Sequence, residues 1–97
     1  MNATDLLNLA DSLKPVLDQA MANANCEEDR HTYFNINQTA HHLIRQLQQV
    51  TQNQEIKGTL IQRAHELLQE YRVIAQVSCE RYERLGGVTL RASATAV

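Results

Sequence analysis

Apolar residues recur at alternating steps of three and four along three segments of this chain, the spacing that lines up side chains on one face of an α-helix. The first segment steps through Leu6, Ala10, Leu13, Leu17, Ala20 and Ala24. The second carries Tyr33, Ile36, Ala40, Leu43, Leu47 and Val50. The third carries Ile61, Ala64, Leu68, Tyr71, Ala75, Ser78, Tyr82 and Leu85, with Leu60, Leu67 and Ile74 widening the stripe. The pattern predicts an all-α fold.

The residues between the stripes place the helix ends. Thr4 is the expected N-cap of the first helix, because its hydroxyl can accept an amide of the first turn, and Asp5 suits the positive end of the helix dipole. Pro15 lacks the amide that would bond back one turn, so a kink or two short helices in line are expected there. Asn23, Asn25 and the acidic run from Glu27 to Asp29 read as an exit turn and a new helix start. Thr59 and Gln62 have the spacing of a capping box, which would start a helix directly after Gly58. Gly86 can take the left-handed position that ends the third helix, with Val88 folding back on the last turn.

Two architectures satisfy these stripes. Tyr33, Ala40, Leu47, Gln54, Ile61, Leu68, Ala75 and Tyr82 share a seven-residue phase, so one long coiled-coil helix from about 29 to 85, plus an N-terminal helix, is possible. Against it stand the polar run from Thr51 to Gln54 and Gly58, which costs about 1 kcal/mol relative to alanine inside a helix. A break near Gly58 is favoured. The expected product is an up-down-up three-helix bundle with a long third helix, a single domain over 1–88, and a flexible tail over 89–97.

The third segment carries more apolar surface than one buried stripe needs. Val73 and Val77 lie off the stripe one turn apart, and Phe34 and Ile44 lie off the second stripe on either side of His41. A helix that is apolar nearly all round must be covered. Phe34, His41, Ile44, Val73, Val77 and Tyr82 are therefore the candidate interface residues, with a homo-oligomer (dimer or higher) or another protein as the cover.

Composition narrows the chemistry. At 97 residues the chain makes one small domain, 43% hydrophobic and 4% aromatic. Its formal charge is −2, with nine Lys and Arg against eleven Asp and Glu. That balance disfavours nucleic acid as a partner, because such binding depends on neutralising phosphates. The charge is uneven: six acids face only Lys14 up to Asp29, and bases outnumber acids from Arg30 onward. No apolar signal region opens the chain and no stretch suits a membrane span. A cytoplasmic location with Cys26 and Cys79 as free thiols is expected.

Candidate catalytic and metal-binding patterns fall short. His31, His41, His42 and His65 lack metal-ligand spacing, and no Cys-x-x-Cys occurs. His65 and Glu66 open like a zinc-protease motif, but Gln69 stands where its second histidine belongs. Cys26, at a helix start, has three acidic neighbours that oppose thiolate formation. No Gly-x-Ser-x-Gly elbow or phosphate-cradling glycine loop is present. No cofactor, metal or catalytic residue is expected. The expected function is non-enzymatic: a small helical regulator (adaptor, antirepressor or inhibitor) that binds another protein stoichiometrically, with a nucleic-acid-binding regulator as the alternative.

Overall fold

The computed structural model describes residues 2–24, 29–54 and 56–87. Three helices account for most of them: α1 (Ala3–Asn23), α2 (Arg30–Gln52) and α3 (Thr59–Arg84). Among the described residues there is no strand. Met21 and Ala24 at the end of α1 meet Tyr33 near the start of α2, and Arg30 of α2 reaches the Leu85 carbonyl just past α3. Each helix therefore runs antiparallel to the one before it, which is the up-down-up bundle. The single long helix is excluded.

The break has a backbone cause. Gly58 holds φ +65° and ψ −135°, a region essentially closed to residues with a Cβ, and it is the N-cap of α3. Its carbonyl accepts from the Ile61 amide at 3.2 Å. The expected capping box does not form. Thr59 is already the first helical residue, and no side chain caps α3.

The start of α1 is also corrected. Asn2, not Thr4, is the N-cap, and its side-chain oxygen accepts from the Asp5 amide at 2.8 Å. Asparagine caps somewhat better than threonine, and starting two residues earlier adds half a turn of helix. The helix then runs unbroken past Pro15, which is exposed, so the expectation of two short helices fails. Burial of Leu6, Leu7, Ala10, Leu17 and Met21 on both sides of the proline holds α1 together.

α3 ends as expected. Gly86 takes φ +94°, its amide donates to the Glu83 carbonyl, and the Gly87 amide donates to the Tyr82 carbonyl at 3.0 Å. These are the paired bonds of a Schellman ending. Val88, the tail beyond it, and Cys26 with its acidic neighbours Glu27 and Glu28 lie outside the described residues.

All six stripe residues of α2 are buried. α2 and α3 form the tight pair of the bundle, and α1 lies across their seam. Ala10, Ala40 and Ala64 are fully buried, and such small residues let helices approach closely. Ile56, in the turn before α3, closes one end of the core. Two tyrosines tie α1 down. The Tyr71 hydroxyl donates to the Ala10 carbonyl at 2.6 Å, and the Tyr33 hydroxyl lies between the carbonyls of Met21 (3.1 Å) and Ala24.

Candidate protein-binding face

The outer seam between α2 and α3, on the side away from α1, is an open groove of about 570 Å³ lined by His41 and Ile44 of α2 and Arg72, Ala75 and Gln76 of α3. Its floor exists because Ala75 stops at Cβ opposite Ile44, while the longer Arg72 and Gln76 rise beside it. At the Tyr82 end of the same seam, Phe34 is 36% exposed, with its ring 5.7 Å from that of Tyr82 and tilted by 51°. Tyr82 in turn lies over Gly87, where a Cβ would run into the ring.

The six candidate interface residues do not form one surface. Phe34, His41, Ile44 and Tyr82 follow the α2–α3 seam. Ile44 is only 9% exposed and belongs to the core, so it forms the groove floor and is not surplus. Val77 falls seven residues after Glu70 and four before Arg81, on the flank turned to α1, and packs partly buried against the core. Val73 stays 59% exposed on the back of α3. The single chain hides more of the excess than its pattern implied. Arg72 and Gln76 were missed as groove residues. Their signal was weak, because a polar residue beside a stripe looks the same whether it faces bulk water or a groove.

A buried polar cluster fixes this seam. The Asn37 side-chain amide donates to the Ala75 carbonyl at 2.8 Å and to Ser78 Oγ at 3.2 Å, while the Ser78 hydroxyl donates to the same carbonyl at 3.1 Å. Asn37 is 2% exposed and Ser78 fully buried. Sliding α3 by one residue would take both acceptors from the buried Asn37 amide, so the cluster favours one register.

The opposite flank, between α1 and α3, gathers ionisable groups. Arg63 hydrogen-bonds Asp11 and Glu66, and Lys14 pairs with Asp18 at 2.8 Å. Glu70 Oε2 lies 3.6 Å from Arg63 Nη2, within ion-pair range but too far for a hydrogen bond, and it has no hydrogen-bond donor among the described residues. The hydrogen bond that Arg63 donates to Asp11 chiefly holds the Arg63 pKa above its usual value, and the one that Lys14 donates to Asp18 raises Lys14. Burial, reinforced by Asp11, Asp18 and Glu70, pushes Tyr71 up to about 12. Tyr71 is thus neutral at physiological pH with its proton committed to a backbone carbonyl, and it offers no base there.

A second concavity, of about 400 Å³, lies where α1 ends and is lined in part by Tyr33, Arg81 and Arg84. α1 has no basic residue in its last turn. Arg81 supplies the missing charge from α3, donating to the Met21 carbonyl at 3.3 Å with its guanidinium 5.9 Å from the Tyr33 ring centre. That guanidinium is a structural cap.

Cys79 is buried, with its thiol 3.6 Å from Glu83 Oε1. Among the described residues no group of three or more His, Cys, Asp or Glu is placed to hold a metal ion, and no helix is long and apolar enough to cross a membrane. Compared with known proteins, the chain matches no family model, no curated protein and no solved structure.

Proposed function

We propose that this protein is a non-enzymatic binding module that engages another protein stoichiometrically through the outer face of α2 and α3, in the manner of a small regulator or inhibitor. The observation that carries the reading is the groove over Ile44 and Ala75, continued along the seam by the part-exposed Phe34 ring. An apolar floor between two rigid helices, rimmed by polar side chains, is the surface on which an amphipathic helix docks. A half-exposed aromatic supplies contact area at low entropic cost. The groove is open along its length, which suits a helix better than an enclosed small molecule.

The test is a photo-crosslinking amino acid placed at His41 or at Gln76 in the full chain, with Asp5 on α1 as the control position. The reading expects one crosslinked protein from both groove positions and none from Asp5. Equal labelling from all three, or none from the groove, refutes it. Self-association would use the same exposed apolar surface, and sedimentation of the isolated chain tests it directly. A mass of one chain at all accessible concentrations removes the homo-oligomer.

A further inference from the structure

We propose that the partner's docking element is an acidic amphipathic helix; this rests on the α2–α3 groove being a protein-binding face. The argument is charge complementarity. From Arg30 to Gln52, α2 contains no Asp or Glu, while it carries Arg30, His31, His41, His42 and Arg45. His41 and Arg72 line the groove; Arg45 lies one turn beyond His41 and, on the facing helix, His65 lies seven residues before Arg72, so each extends the face of a groove-lining residue. The carboxylates of α3 lie on the α1 flank or toward the Phe34 end of the groove, where Glu80 is bonded to the groove-lining Gln76. Glu66 and Glu70 turn to Arg63 on the α1 flank, Glu80 accepts from the Gln76 amide, and Glu83 takes the Cys79 thiol toward the Phe34 end.

Among the described arginines, Arg84 lies by the concavity at the end of α1. Arg30, Arg63 and Arg81 are all engaged with groups of the bundle. Arg45 and Arg72 make no ion pair or side-chain hydrogen bond among the described residues, and both are exposed. Arg72 in the groove wall, with Arg45 one turn beyond the groove-lining His41, fits a helix with apolar residues on one face and carboxylates along its edges. Duplex nucleic acid fits less well, because the floor is Ile44 and Ala75 and the acidic Asp11–Glu70 flank lies on the same small bundle. A second copy would need an exposed acidic apolar helix. On α1 the exposed Leu9 and Val16 have only Asp5 on their face, and on α3 the exposed Val73 is a single apolar residue between Glu66 and Glu80, so neither face offers an apolar stripe with carboxylates along both edges.

Two synthetic helical peptides test this, with the same Leu/Ala stripe and either Glu or Lys along its edges, titrated into the full chain labelled with ¹⁵N. The Glu peptide is expected to bind about tenfold more tightly than the Lys peptide at low salt, to shift the amides of His41, Ile44, Arg72 and Gln76, and to lose that advantage at high salt. The double variant Arg45→Glu/Arg72→Glu, changed only at exposed positions, is expected to reverse the preference without altering the helical circular dichroism. Equal binding of both peptides in the groove overturns the acidic partner and leaves the protein-binding face standing. If neither peptide shifts groove amides, the face itself fails. Salt-steep binding of duplex DNA to the same amides, or a dimer whose dissociation is needed before peptide binds, overturns the proposal in favour of that occupant.

Discussion

The Tyr71 hydroxyl, rooted in the middle of α3, donates a 2.6 Å hydrogen bond to the Ala10 carbonyl in the middle of α1. The acceptor lies in the turn that Pro15 weakens, since the missing proline amide leaves the Asp11 carbonyl without its helical donor. Tyr71→Phe removes the bond and keeps the ring. It is expected to lower stability by about 1 kcal/mol in urea titrations, because the Ala10 carbonyl retains its helical partner. The pH dependence follows from burial. An unfolded tyrosine ionises near 10, whereas folded Tyr71 holds its proton to about 12. Its contribution is therefore complete below pH 10 and is lost as pH rises toward 12. Stability of the native chain should fall more steeply over that interval than stability of Tyr71→Phe; parallel curves would refute the assignment.

Asn37 gives a sharper test because its neighbours are acceptors. Replacing it with Asp sets a carboxylate against the Ala75 carbonyl with one hydroxyl to donate, in a site that is 2% exposed. Asn37→Asp is expected to cost about 3 kcal/mol or more at neutral pH, and Asn37→Ala about 1–3 kcal/mol. Denaturant midpoints distinguish them. If the two variants were equally stable, the amide would not be a required donor in the seam.

The helical faces were legible where a neighbouring helix covers the whole stripe, and α2 shows this with all six of its stripe residues buried. They were less legible at ends and flanks. Leu60 and Ile61 fit the α3 stripe yet are 39% and 37% exposed, since the first turn of a helix projects past its neighbours. Leu7, Met21 and Ile56 lie off the stripes yet are buried, because a three-helix core is wider than a line of single residues and is closed by its turns. Periodicity assigns a face to a residue but not the depth of cover over it. For the same reason Phe34 could be singled out from spacing, whereas the groove beside it could not. Asn37 gave no sign of burial, since its partner, the Ala75 carbonyl, is a backbone group common to every residue.

Arg63 lies among three carboxylates, bonded to Asp11 and Glu66 and within ion-pair range of Glu70. Arg63→Gln leaves those charges facing one another across the α1–α3 flank. The side chain is 34% exposed, so solvent screens the group and the expected loss is about 0.5–1 kcal/mol at low salt. The loss should shrink in 1 M NaCl, where the screening length is about 3 Å. Thermal melts at both ionic strengths check this, and a salt-independent loss would assign the role of Arg63 to packing of its stem.

Ile44 and Val73 look alike in the sequence, each an apolar residue beside a full stripe, but they differ sixfold in exposure, at 9% and 59%. Burial decides what a charge does at each position. Ile44→Asp must bury a carboxylate beside Leu43 and Leu47 and is expected to cost more than about 3 kcal/mol, enough to unfold much of a domain this small. Val73→Asp places its charge in water on the back of α3 and is expected to stay within about 0.5 kcal/mol of the native chain. Circular dichroism melts of the two variants give the comparison. A collapse of Val73→Asp would show that the back of α3 is covered in solution, either by residues outside 2–24, 29–54 and 56–87 or by a second copy. Sedimentation of the native chain separates those two causes: only a second copy raises the mass.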